Sequence, residues 1–261
     1  LPEALSNELC SLKPHVDRLT KCVEFTLSNE GRVLKSQFYP AVIRSQCRYN
    51  YREVFEILNR APLDALERML HHANSLAQKM RQTRFRAGSL DLDFPEMKIR
   101  LDDRGRVARI ERMENDVSHQ LIEEYMRLAN EPVAGRPMAR GRPAIYRTHE
   151  PPDKRRLDEF REDVLSHHIQ CGNLLLRREV QLLLERLNRL SIGPALKIGF
   201  LRSLMRARYA VEPIGHYGLA KSKYTHFTSP IRRYADLVVH RALFQPGQRP
   251  ASRPLQEIAQ N

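Results

Sequence analysis

The chain has 261 residues, 41% of them hydrophobic and 29% charged, which is enough to bury a core and excludes a disordered chain. No apolar run approaches the roughly 20 residues a membrane helix needs, and Leu1-Pro2-Glu3-Ala4 has neither the basic start nor the apolar stretch of a signal peptide. The net charge is +13, with 44 Lys+Arg against 31 Asp+Glu, and such a balance favours a polyanionic partner.

In chain order, residues 20–27 alternate in the strand period, Asn29-Glu30-Gly31 is a turn signal and 33–39 resumes as a strand, so a hairpin is predicted. Leu63, Leu66, Met69, Leu70, Ala73, Leu76, Ala77 and Met80 recur at helical spacing. A second hairpin joins Met97–Leu101 to Val107–Glu111 through Asp102-Asp103-Arg104-Gly105, and residues 115–130 form a helix with Leu121, Ile122, Tyr125 and Leu128 inward. Segment 131–153 holds five prolines and reads as a loop. Helical patterns follow at 155–170, 173–190 and 194–207, then an extended stretch at 209–220 and a last helix from Pro230 to Phe244. The tail 245–261 is rich in Pro, Gln and Arg and reads as a connection to a following segment. The missing initiator Met suggests a piece of a longer chain.

Four cysteines, none in CxxC spacing, argue against a zinc knuckle or disulfide framework and fit a reducing, cytoplasmic setting. His167 and Cys171, four apart on the expected helix, make half a zinc site, but no second pair is suitably spaced. The basic charge is concentrated late. Residues 1–125 carry 20 basic and 19 acidic side chains, residues 126–261 carry 24 and 12, and Arg outnumbers Lys 35 to 9. Arg is the planar, bidentate binder of phosphate.

The densest chemistry lies at 216–241. Ser229 is a good N-cap and Pro230 a good first helical residue, which puts Arg232 at N3, where unpaired N–H groups and the positive end of the dipole collect. Two adjacent Arg there make an anion site. Ile231, Ala235, Val238 and Ala242 fall on one apolar stripe, while Arg232, Asp236 and His240 lie off it, so Asp236 is expected to orient Arg232 one turn away. Tyr217, Tyr224, His226 and Phe227 set stacking surfaces among the cations. An exposed, ordinarily capped Arg/Asp helix is the plainer alternative.

The run His216-Tyr-Gly-Leu-Ala220, then Tyr224-Thr-His-Phe-Thr-Ser-Pro-Ile-Arg-Arg-Tyr-Ala-Asp-Leu-Val-Val-His-Arg241, resembles the signature of the ribonuclease II/ribonuclease R (RNB) family, in its bacterial ribonuclease R branch. Leu1–Leu12, Phe38–Ser45, Tyr51–Val54, His119–Asn130 and Tyr146–Asp153 resemble further family segments in family order. The resemblance implies an α+β fold, a sheet backed by helices around an RNA channel, with residues 1–244 as the C-terminal portion of the RNB catalytic domain. It implies a processive 3′→5′ exoribonuclease that hydrolyses single-stranded RNA to nucleoside 5′-monophosphates, with Mg²⁺ activating water and stabilising the departing 3′ oxygen. A monomer without an obligate protein partner is the family's default.

By the same resemblance Arg232 takes the catalytic arginine position, holding the scissile phosphate. Tyr51 matches a tyrosine that packs near the RNA 3′ end, and Glu123 a glutamate near the terminal nucleotide, able to accept a ribose hydroxyl bond. His226, Thr228, Ser229 and Arg233 are expected phosphate contacts, with Ser229 serving otherwise as a helix cap; Arg44 is a further candidate on the RNA path. Leu92 aligns with an aromatic that stacks on the last base in many members, with Phe94 out of register, so that wall is expected to be aliphatic. The family's metal-binding aspartates lie upstream of Leu1-Pro-Glu. Asp91/Asp93 and Asp102/Asp103 read as solvated turn carboxylates rather than replacements, so no metal site is expected within this chain, and the piece alone is expected to be inactive. A non-catalytic RNB-fold RNA-binding protein stays open as the rival reading.

Overall fold

The computed structural model describes residues 2–92, 96–113, 115–139, 144–244, 255–257 and 259. Asp93, Phe94 and most of the 245–261 tail lie outside them. The chain alternates ribbons and helices: β1 (Asp17–Leu27), β2 (Val33–Arg44), α1 (Tyr51–Leu58), α2 (Ala65–Arg86), β3 (Glu96–Leu101), β4 (Val107–Met113), α3 (Val117–Ala139), β5 (Tyr146–Thr148), α4 (Lys154–Ser166), α5 (Arg177–Leu187), α6 (Gly193–Ser203), β6 (Arg208–Ala210) and α7 (Tyr234–Phe244). Among the described residues the strands form three separate antiparallel pairs, β1–β2, β3–β4 and β5–β6. This is an α+β architecture.

Both expected hairpins are present, and the first is longer than its alternating core, pairing Asp17 with Arg44. Gly31 takes a positive φ of 78° in its turn, a conformation that favours glycine. Helix α1 was not legible from periodicity; a reciprocal cap starts it, with Glu53 N–H donating to Asn50 Oδ1 at 3.0 Å and Asn50 N–H to Glu53 Oε2 at 2.7 Å. Asp64 and Asp153 cap α2 and α4 through the N–H groups of Glu67 and Arg156.

Segment 131–153 is not a loop throughout. Helix α3 continues past Pro132 to Ala139. Proline removes one helical hydrogen bond and costs roughly 3 kcal/mol in a helix interior. Burial offsets this: Val133 and Ala134 are buried, Val133 against Phe227, Val239 and Leu243, and each large buried side chain contributes about 1.5–3 kcal/mol. Arg136 adds a hydrogen bond to Ser36 O at 2.9 Å and lies over the Phe38 ring. Farther on, Tyr146–Thr148 is strand β5, a second departure from the loop reading.

The largest core packs α4, α5 and α6 around Phe160, Val164, Val180, Leu184, Leu187 and Phe200. Helix α4 ends at Ser166, so His167 and Cys171 do not share a helix turn as expected from spacing. A smaller core sets Ile145 against Ala235, Val238 and Leu255 of the tail.

Candidate nucleic-acid interface

Helix α7 begins at Tyr234, four residues later than expected, because Ser229–Arg233 forms a separate turn. The N–H groups of Arg232 and Arg233 donate to Ser229 O at 3.3 and 3.2 Å. Asp236, wholly buried, receives Ser229 N–H on Oδ1 at 2.8 Å, Arg233 Nε on Oδ2 at 2.9 Å and Arg233 Nη2 on Oδ1 at 3.0 Å. The expected pairing is therefore corrected: Asp236 holds Arg233, not Arg232. Ser229 supplies its main chain, and the carboxylate of Asp236 caps it. The turn leaves Arg232 exposed, with no side-chain acceptor among the described residues, and lifts Ile231 off the apolar stripe to 42% exposure. The Oγ1 of Thr228 is buried without a hydrogen-bond partner.

Segment 215–228 is fastened on two sides. Strand β5 and the residues on either side of it hold it through Arg147 N–H to Tyr224 O (2.9 Å), His149 N–H to Gly215 O (3.0 Å) and Thr225 Oγ1 to Ile145 O (2.6 Å). Asn130 of α3 holds it from the other, its Nδ2 donating to Tyr224 Oη at 2.9 Å and its Oδ1 accepting Phe227 N–H at 3.0 Å. Neither Asn130 nor Asp236 was singled out for these roles from sequence; both are buried polar residues, and only burial demands full satisfaction.

An aromatic run crosses this segment. His149 meets His216 edge-on at 5.1 Å, His216 meets Tyr224 at 5.6 Å, Tyr224 meets His226 at 5.9 Å, and Tyr209 lies 5.8 Å from His226, its hydroxyl 2.8 Å from Nδ1. Burial, reinforced by His149, pushes His216 down to about 3, and burial beside Arg233 pushes His226 down to about 4. Both rings are neutral at neutral pH, so the positive charge here is carried by arginine and lysine side chains.

At the other end of this run is a cleft of about 140 Å³ that Leu92 and Glu123 share with Arg81, Arg84, Arg127 and His216. The structure thus joins two residues 31 positions apart that sequence matched separately. Glu123 Oε1 is held by Arg127 one turn on. Tyr51 opens α1 and is 48% exposed, its ring stacked on His119 with centroids 3.9 Å apart. His119 and Glu123 are one turn apart on α3, so Tyr51 reaches the Glu123 side of the site. Arg44 lies at the end of β2, paired with Asp17 at 2.6 Å; both are exposed, and such a pair is weak.

Several carboxylates among the described residues are already engaged by the protein's own donors. Asp102 accepts the N–H groups of Arg104 and Arg106 in its turn, Asp236 is consumed by Arg233 and Ser229, and Glu124 by arginines. Among the described residues no group of three or more His, Cys, Asp or Glu is placed to hold an ion. These residues do not fit Mg²⁺. Among them, too, no helix is long and apolar enough to cross a membrane.

Comparison with known proteins bears on the family and the fold. The RNB domain model matches residues 1–246. The chain is 38% identical to ribonuclease R of Thermotoga maritima over 256 residues, covering 93% of this chain and 35% of that protein. It is 38% identical to ribonuclease R of Escherichia coli over 253 residues, covering 93% and 31%. In structure it is similar to Mycoplasma genitalium RNase R in complex with ribose methylated single-stranded RNA, with a TM-score of 0.92, 32% identity, and coverage of 100% of this chain and 43% of that one. A yeast pseudonuclease shares the fold at a TM-score of 0.78 and 22% identity. The chain belongs to the RNB-domain family and spans about a third of the length of the curated ribonuclease R proteins it matches.

Proposed function

We propose that the protein carrying this chain is a Mg²⁺-dependent, processive 3′→5′ exoribonuclease that hydrolyses single-stranded RNA to nucleoside 5′-monophosphates in cytoplasmic RNA turnover. The observation that carries this reading is the Ser229–Arg233 turn. It presents an uncommitted guanidinium at a clamped position beside neutral aromatic rings, within a fold shared with an RNA-bound RNase R. In this reading water attacks the terminal phosphodiester, the bond to the departing 3′ oxygen breaks, and the shortened RNA keeps a 3′ hydroxyl.

Arg232 holds the scissile phosphate and offsets its developing charge. Arg233, fixed by Asp236, contributes field at fixed geometry. His226, Thr228 and Ser229 act as neutral hydrogen-bonding groups to the phosphates. Glu123 accepts the ribose hydroxyl of the last nucleotide, Leu92 gives an aliphatic wall, Tyr51 packs near the 3′ end and Arg44 touches the RNA farther along. The metal ligands belong to the segment that precedes residues of this kind in the family. Residues 1–244 form the C-terminal portion of the catalytic domain, 245–261 lead to a following part, and the protein acts as a monomer.

The rival is a non-catalytic RNA-binding protein, a reading left open by a fold shared with a pseudonuclease. The test gives the full-length protein 3′-labelled and 5′-labelled single-stranded RNA with Mg²⁺ or EDTA. Mononucleotides released from the 3′ end only with Mg²⁺ are expected. Salt-sensitive binding without cleavage would install the rival.

A further inference from the structure

Glu124 is the hub of a buried network that sequence treated only as the neighbour of Glu123. It is 3% exposed, on α3. Its Oε1 accepts Arg84 Nη2 at 2.6 Å and Arg127 Nη1 at 3.0 Å, and its Oε2 accepts Arg84 Nε at 3.3 Å. Arg81 stands 3.9 Å away. Each arginine then reaches onward. Arg127 uses Nη2 to hold Glu123. Arg84 uses Nη1 to hold the Oγ of Ser89 at 2.7 Å. Ser89 is fully buried; its hydroxyl donates to Gly218 O at 3.4 Å, and Leu90 N–H donates to the same carbonyl at 2.9 Å. The network therefore runs from the segment ending at Leu92, through Ser89, Arg84, Glu124 and Arg127, to Glu123, and ties in Gly218 beside His216.

We propose that Glu124 is a positioning residue that sets Glu123 and Leu92 relative to one another, and so governs recognition of the 3′-terminal ribose. The proposal rests on the reading of Glu123 given above. The physical reason is competition. Three guanidiniums crowd one buried carboxylate, and charge-assisted bidentate bonds of this kind are strong. With Glu124 neutralised, Arg81 keeps Asp91 at 3.9 Å and Arg84 keeps the hydroxyl of Ser89, while Glu123 is the carboxylate left to Arg127. Arg127 already touches it, and the pull of the unbalanced guanidiniums draws both of its oxygens into the network. A carboxylate captured in this way is lost to the substrate.

The experiment uses the full-length enzyme and two oligonucleotides that differ only in a ribose or 2′-deoxyribose at the 3′ end. The readout is the ratio of their kcat/KM values, with melting temperature measured alongside. E123Q is expected to lower the ratio about tenfold, the scale of one hydrogen bond to a charged group. E124Q is expected to lower it by a comparable factor. S89A, which removes one buried hydroxyl, and R127K, which keeps the charge and loses the planar fork, are expected to lower it two- to threefold. A loss with E123Q but an unchanged ratio in E124Q, whatever its melting temperature, would overturn the proposal and leave Glu124 a structural ion. If E124Q does not fold, S89A and R127K decide, and unchanged ratios in both overturn it. An unchanged ratio in E123Q would remove the reading of Glu123, and the proposal with it.

Discussion

Asp236 carries the local logic of the arginine turn. A carboxylate with no exposure is costly unless every lone pair finds a donor, and here three N–H groups converge on it. Removing one partner of such a buried pair typically costs 3–5 kcal/mol. D236A is accordingly expected to lower the unfolding free energy by about that amount in a denaturant titration, and to release Arg233. R232A, at an exposed side chain, is expected to leave stability within about 0.5 kcal/mol while cutting turnover by the full-length enzyme about a hundredfold or more, with modest loss of RNA affinity. Equal losses of turnover and affinity would remove the catalytic assignment.

The histidines give a pH signature at the same scale. His216 and His226 have folded values of about 3 and 4, below the ordinary 6.5. The unfolded chain therefore binds more protons between these limits, so their contribution to stability is complete above pH 6.5 and is lost as pH falls toward 4 and then 3. The melting temperature is expected to fall across that window and to fall less steeply in H216Q. Parallel profiles for the two proteins would contradict the burial of a neutral His216.

Among the elements, α3 is the spine. It carries His119 under Tyr51, Glu123 at the cleft, Glu124 in the buried network, Asn130 under Tyr224 and Phe227, and Val133 in the core below α7. Register along one helix thus spaces the Glu123 cleft from the arginine turn. N130A is expected to leave Tyr224 Oη and Phe227 N–H unsatisfied, with a cost of about 1–3 kcal/mol for a buried donor, read as a fall in melting temperature and in turnover together. The extension of α3 beyond Asn130, which brings Val133 under α7, was unreadable in sequence because Pro132 is a strong local stop signal. Its cost is outweighed by burial of residues contributed from sequence-distant α7 and segment 224–227. The periodic face of α2 and the two hairpins were legible because their determinants, apolar spacing and turn residues, are local.

At the scale of the molecule, the ribbons β1–β2 and β3–β4 leave Leu19, Val42, Met97, Ile99 and Ile110 exposed. Two-stranded ribbons hold weakly on their own, so the helical core around α4–α6 carries the stability of the described structure. Gly193 illustrates how tight that core is: a Cβ there would sit 1.8 Å from Leu187 O. G193A is expected to destabilise by about 1–3 kcal/mol through overpacking, measured by thermal unfolding. The charge asymmetry belongs to this scale too. The isolated chain is expected to bind single-stranded RNA weakly, with affinity falling steeply with salt, and not to hydrolyse it. Robust Mg²⁺-dependent cleavage by the isolated chain would show that its carboxylates hold the metal after all.

The sequence by itself determined the basic charge, the two long ribbons and the amphipathic helices, because charge, periodicity and turn chemistry act between near neighbours. Only the tertiary structure decided which of two adjacent arginines Asp236 would take, where α7 starts, how far α3 runs, and that Leu92 and Glu123 face one cleft. Those outcomes depend on desolvation. A buried carboxylate selects the partner that can be buried with it, and which group is buried is set by segments far apart in the chain.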